Sequence, residues 1–126
     1  MIFGIGTDIA QVNRFEKWVE NPQMFMRFFN PAEIMEKGSL AAKFQHYAAR
    51  FAAKEAFSKA LGTGIAGFEL KEVYVVNDPL GKPELKVEGK ALELLKQKVG
   101  DDSCLHISLS HEKEYALAFV VIESVK

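Results

Sequence analysis

Two carboxylates and a lysine stand where a hard cation and a phosphate group could be held. Asp8 follows the run Ile2-Phe3-Gly4-Ile5-Gly6-Thr7, in which Gly4 and Gly6 leave one face bare and let another group approach the backbone. An exposed carboxylate there suits a cation such as magnesium; equally, Thr7 and Asp8 could start a following helix. Glu55 lies among Ala52, Ala53 and Ala56, with Lys59 at the i,i+4 spacing that puts both side chains on one helix face. Alone, that pair reads as a surface salt bridge of small worth. Gly62-Thr63-Gly64 comes next and offers backbone N–H groups able to line a phosphate. Because a helix C-terminus repels anions, Lys59, those N–H groups or a metal must do the holding.

Further candidates are less specific. Gly81-Lys82-Pro83 puts a cation beside a tight backbone, although an ordinary hairpin explains it as well. Arg50 and Lys54 suit a phosphorylated ligand, but the 3.6-residue repeat turns Arg50 away from the Glu55 face, where solvent or a subunit contact would suit it equally. His106, Ser108 and Ser110 share one strand face ahead of His111, forming either a polar cleft wall or a solvated surface. Ser110 and His111 are neighbours on a strand and point to opposite sides, so they do not make a nucleophile and its base. No Gly-x-Ser-x-Gly elbow, dinucleotide fingerprint or phosphate-binding Gly-Lys-Ser/Thr loop is present.

The elements that must position these residues follow from pattern. Residues 2–9 read as a strand and 12–19 as a short amphipathic helix interrupted by Asn21-Pro22. Met24, Phe25, Phe28 and Phe29 read mainly as core. Asn30-Pro31-Ala32-Glu33 has the form of a cap and predicts a helix reaching Lys37. Residues 40–61 contain no Pro or Gly and end at Gly62, which predicts one long helix presenting Leu40, Phe44, Tyr47, Phe51 and Ala52 to a sheet. Residues 68–77 and 84–88 read as strands joined by the turn 77–83. Residues 89–99 read as a crossover helix packed on the sheet, 104–110 as an alternating strand, and 115–123 as a closing strand that is either central or buried on both faces. This order is α+β: an antiparallel sheet packed against a long helix and shorter helices, in a single domain covering 1–126.

Composition narrows the function classes. With 126 residues, 48% hydrophobic and 26% charged, the chain has the make-up of an ordinary globular domain. Sixteen basic against seventeen acidic residues give a net charge of -1, no global field for nucleic acid. Its longest apolar stretch has eight residues, too few to span a membrane. Neither a basic leader nor a cleavage site opens it. A single cysteine, Cys104, forms no internal disulfide and has no second cysteine to complete a zinc cluster, so cytoplasm is the expected compartment.

At these residues the chain resembles the holo-acyl-carrier-protein synthases, small bacterial 4'-phosphopantetheinyl transferases. The matching blocks are Gly4-Ile5-Gly6-Thr7-Asp8-Ile9 with Arg14, then Arg50-Phe51-Ala52-Ala53-Lys54-Glu55-Ala56-Phe57-Ser58-Lys59-Ala60-Leu61-Gly62-Thr63-Gly64. Gly81-Lys82-Pro83 and His106-Ile107-Ser108-Leu109-Ser110-His111 with Tyr115-Ala116 complete them. The resemblance covers essentially the whole chain and implies the small transferase fold. It also implies transfer of 4'-phosphopantetheine from coenzyme A to a serine of apo-acyl carrier protein, releasing adenosine 3',5'-bisphosphate.

It further implies that Asp8 and Glu55 hold magnesium, with manganese an alternative, and that Lys59 joins them in catalysis, Glu55 being the preferred base. Arg50, Lys54, Lys59, Gly62, Thr63, Gly64, Gly81, Lys82, Pro83, Ser108, Ser110 and His111 would hold coenzyme A. Arg14, with Arg27, Met24 and Phe28, would meet the acidic carrier protein. Family members of this length form homotrimers with sites at subunit boundaries. Gln11 departs from a frequent Glu and offers no anionic ligand, which would leave coordination more to coenzyme A oxygens and water. A magnesium-dependent hydrolase and a non-catalytic carrier-binding module are the competing classes.

Overall fold

The structure, a computed structural model, describes residues 1–125. A three-stranded antiparallel sheet has the order β1-β5-β4, built from β1 (Ile2–Gln11), β5 (Tyr115–Ser124) and β4 (Ser103–His111). Its register aligns Asp8 with Ala118 and Ala118 with Leu109. Pairing is regular from Gly4 to Gln11, so Gly4, Gly6, Asp8 and Ala10 share the inner face, and Ile5, Thr7, Ile9 and Gln11 the outer. A separate hairpin pairs β2 (Val73–Asn77) with β3 (Pro83–Val87).

The long helix α3 (Leu40–Leu61) has the bounds that its sequence predicts. Ser39 Oγ accepts from Ala42 N at 3.1 Å, and Gly62 ends the helix in the left-handed region at φ 87°. It lies on the inner face of the sheet through Ala52, Ala56 and Ala60, each at most 4% exposed. What approaches the bare backbone at Gly4 and Gly6 is this helix. A Cβ on Gly4 would fall on the Ala60 carbonyl oxygen, and one on Gly6 on that of Ala56. Asp8 is thereby held in mid-strand beside α3, and the reading of Thr7 and Asp8 as a helix start is overturned.

The second layer of the core is aromatic. Helix α1 (Phe15–Val19) and helix α2 (Pro22–Phe28, capped by Asn21) bring Trp18 within 5.2 Å of the Phe51 ring and Phe25 within 4.5 Å of Tyr47. Asn21-Pro22 therefore starts a helix as well as ending one. Tyr47 and Phe51 face these helices, while Leu40 is 63% exposed and joins no core.

Other expectations need correction. The Asn30 capping box forms, but only a single 3-10 turn follows, Pro31–Glu33, and Ile34 is already extended. A similar turn, Leu70–Glu72, precedes β2, shortening the strand expected from residue 68. Helix α4 (Gly89–Val99) buries Ala91 and Leu95 and is anchored by Glu72, whose Oε2 accepts from Lys90 N at 2.9 Å. Of the two readings of strand β5 the central one holds: Ala116, Ala118, Val120 and Ile122 are fully buried, whereas Leu117 and Phe119 on the other face are 41% and 43% exposed. Among the described residues no helix is long and apolar enough to cross a membrane.

Candidate active site

The inner-face position of Asp8 and the second half of α3 bring three of the expected residues together. Lys59 Nζ donates to Asp8 Oδ1 at 3.2 Å and to Thr7 O at 3.0 Å. Lys59 thus pairs across to the strand rather than with Glu55, and the i,i+4 salt bridge is not what these residues form. Burial raises the Glu55 pKa, the Asp8 charge raises it further, and Lys59 and Arg14 pull it back. Two carboxylates that repel one another beside one ammonium make a site for a divalent cation and an anionic ligand. The exposed turn at 62–64 continues from it, with Thr63 Oγ1 donating to Gly64 O at 2.8 Å.

A groove leads to Glu55 from the aromatic layer. A cavity of about 470 Å³ is lined by Trp18, Arg27, Phe28, Ile65 and Phe68 as well as Glu55. The Arg14 guanidinium lies 5.3 Å from the Phe51 ring centre and that of Arg27 5.4 Å from Phe28, where cation–π attraction orients both. Met24 is half-buried and outside the lining. Ile65 and Phe68 were not singled out from sequence; their only signal was two large apolar side chains on either side of Ala66-Gly67.

A second group gathers on the other flank of α3. Arg50 Nη2 donates to Asn77 Oδ1 at 3.0 Å, and a cavity of about 430 Å³ collects Arg50, His46, Asn77, Gly81, Pro83 and His111. Arg50 Nε is buried and has no hydrogen-bond partner among the described residues, an unsatisfied donor that a ligand could meet. Burial lowers the Arg50 pKa against the attraction of Glu33, yet a guanidinium stays charged. His46 is held neutral, its pKa lowered to about 4 by burial and by Arg50. Its Nε2 lies 2.6 Å from Glu33 O, which requires the proton on Nε2. His46 and Asn77 were also missed from sequence.

Four expected residues lie elsewhere. Lys54 has no exposed surface, and Nζ donates to Glu33 Oε1 and Val73 O, both at 2.5 Å; it is a core residue and leaves the coenzyme A set. Lys82 lines the gap between β3 and β4. Ser108 and Ser110 are exposed on the outer face, opposite Phe119 and Leu117. His111 pairs with Ala116 on the inner face, so no Ser110–His111 dyad exists. Gln11 lies on the outer face of β1, opposite to Asp8.

The sequence profile of the 4'-phosphopantetheinyl transferase superfamily matches residues 4–120. The chain is similar to the holo-[acyl-carrier-protein] synthase of Treponema denticola, 50% identical over 126 residues, covering 98% of this chain and 99% of the relative. Its structure is similar to the holo-[acyl-carrier-protein] synthase of Neisseria meningitidis, with TM-score 0.82, 38% identity, and coverage of 98% and 99%. It is also similar to a Bacillus anthracis holo-(acyl-carrier-protein) synthase in complex with CoA (3',5'-ADP), with TM-score 0.77, 38% identity and 99% of each chain covered.

Proposed function

The chain belongs to the 4'-phosphopantetheinyl transferase superfamily, and on that premise we propose that Asp8, Glu55 and Lys59 form the reaction centre of a holo-acyl-carrier-protein synthase. It transfers 4'-phosphopantetheine from coenzyme A to a serine of apo-acyl carrier protein and releases adenosine 3',5'-bisphosphate. The observation that carries the site is the convergence of the Lys59 ammonium and Asp8 carboxylate, 3.2 Å apart, with a Glu55 whose pKa the Asp8 charge helps to raise.

The donor set fits magnesium, or manganese in its place: two hard carboxylates whose mutual repulsion a divalent ion would relieve. Bound there, the ion would withdraw charge from the coenzyme A pyrophosphate. Lys59 neutralises the phosphoryl oxygens, and the N–H groups of 62–64 line them. Glu55 is the group placed to accept the serine proton. The groove ending at Glu55 delivers the carrier serine, with Arg14, Arg27 and Phe28 meeting the acidic carrier and Met24 at their edge.

Arg50, Gly81, Pro83 and His111 hold the nucleotide end of coenzyme A, supported by the unpaired Arg50 Nε. Because α3 separates them from Asp8, they serve the site of a neighbouring copy, in a homotrimer with sites at its boundaries. The outer sheet face supports that assembly: Ile5, Ile9, Leu117 and Phe119 form an apolar surface, each at least 41% exposed, beside Ser108 and Ser110. A single domain working in a reducing cytoplasm suits the free Cys104.

The test incubates the protein with magnesium, coenzyme A and apo-acyl carrier protein and weighs the intact carrier. A phosphopantetheine adduct that disappears with Glu55→Gln is expected. An undiminished adduct with that variant removes Glu55 from the centre, and coenzyme A hydrolysis without carrier modification favours a hydrolase.

A further inference from the structure

A second cluster of metal-binding side chains lies on the outer face of the sheet, at the end that carries the chain termini. Cys104 pairs directly with Glu123 across β4 and β5, and His106 is two residues further along β4, so the pleat turns all three the same way. One donor atom from each lies within 4.8 Å of the others, and His106 Nε2 is 3.0 Å from Glu123 Oε1. Neighbouring ligands of a tetrahedral zinc ion stand about 3 to 4 Å apart, given Zn–S near 2.3 Å and Zn–N or Zn–O near 2.0 to 2.2 Å. The imidazole and carboxylate already stand at that spacing, and the thiol closes it by a small side-chain adjustment.

We propose that Cys104, His106 and Glu123 form a zinc site, with three protein ligands and a fourth position open to water. A thiolate, an imidazole and a carboxylate select zinc over magnesium, because sulfur and nitrogen donors suit a borderline ion and not a hard one. The bound thiolate and carboxylate balance the ion's two positive charges, and the thiol proton passes to solvent on binding. In the single chain the His106 and Glu123 side chains are 53% and 39% exposed, and Cys104 and His106 line the gap between β3 and β4 at the sheet edge. A lone cysteine in the sequence excludes an all-cysteine cluster but not this mixed one, whose other members only the strand pairing brings in.

Cobalt is the probe, because a thiolate ligand gives it a near-ultraviolet charge-transfer band that oxygen ligands do not. Cys104 is the chain's single cysteine, so the band reports this site and is blind to Asp8 and Glu55, which excess magnesium keeps occupied. Titrating the reduced, assembled protein with cobalt is expected to raise the band at one ion per chain, with zinc then displacing it. Cys104→Ser abolishes the band, and methylthiolation of the wild-type thiol does the same should the variant not fold. His106→Gln and Glu123→Gln each weaken cobalt binding by about tenfold or more, at least the scale of losing an outer-shell partner. No band in the wild type overturns the proposal, as does unchanged affinity in the latter two variants, which means a lone surface thiol. One ion per three chains overturns it too, since that means thiolates bridged between copies.

Discussion

Lys54 Nζ sits 2.5 Å from Glu33 Oε1 with neither side chain exposed, a buried ion pair joining α3 to the turn ahead of it. Glu33 is fully engaged: Oε1 also accepts from Asn30 N at 3.1 Å and Oε2 from Val75 N at 3.0 Å. Burial lowers the Lys54 pKa while Glu33 opposes the fall. Removing one partner strands a charge, so Lys54→Met is expected to cost about 3 to 5 kcal/mol, and adding Glu33→Gln recovers part of it. Urea unfolding measures both; equal midpoints for Lys54→Met and wild type would show that the lysine is not the counter-charge.

This pair also marks where the sequence stops being readable. The 3.6 period correctly puts Arg50 and Lys54 on one side of α3 and turns Glu55 away from them. It cannot say that β2 and the turn at Glu33, more than twenty residues distant on one side, cover the Lys54 end and leave Arg50 open. Likewise Gly4 and Gly6 announce a close approach but not its author. The capped turn at Asn30 is legible because its signal is local, while the partners that hold Glu33, Lys54 and Val75, are distant in sequence.

The approach of α3 to β1 makes Gly6 a sensitive position. A Cβ there meets the Ala56 carbonyl oxygen and, at 2.7 Å, Ala60 N, all backbone that cannot swing aside. Gly6→Ala is expected to lose about 1 to 3 kcal/mol or more by overpacking and to separate Asp8 from Lys59. Thermal unfolding and the carrier-mass assay should fall together; a stable, active variant would mean the helix can slide on the sheet.

Glu55 gives stability and catalysis opposite signs. Its folded pKa is raised, chiefly by burial and then by Asp8, so the folded chain binds its proton more readily than the unfolded one. Ionised Glu55 therefore costs stability above the raised pKa, and that cost disappears as pH falls below the ordinary carboxylate range. With divalent metal chelated, Glu55→Gln is expected to melt at or above the wild-type temperature at neutral pH and to converge with it in acid; assayed with magnesium, it is expected to lose transfer throughout. A lower melting temperature at neutral pH would mean that the ionised carboxylate is a structural partner.

His46 predicts the reverse slope. Its folded pKa is lowered from 6.5 to about 4 by burial and Arg50, so between those values the unfolded chain binds the extra proton. Its contribution to stability is whole above pH 6.5 and is lost progressively as pH falls toward 4. His46→Gln, which keeps a donor for Glu33 O, is expected to flatten the dependence of the urea midpoint on pH across that window. An identical slope in both proteins would mean the imidazole protonates in the folded state without cost.

The separation of Asp8 from Arg50 by α3 leads to a mixing experiment. Asp8→Asn and Arg50→Ala proteins should each be nearly inactive, one lacking the proposed cation ligand and the other the proposed nucleotide contact. If every site takes Asp8 from one copy and Arg50 from its neighbour, co-refolding equal amounts rebuilds about a quarter of the sites, the chance that both halves are intact in a random ring. Phe119→Glu, which puts a charge on the apolar outer face, should dissociate the assembly in sedimentation and abolish this rescue. Activity of the mixture no greater than the sum of its parts would place both halves of the site within one chain.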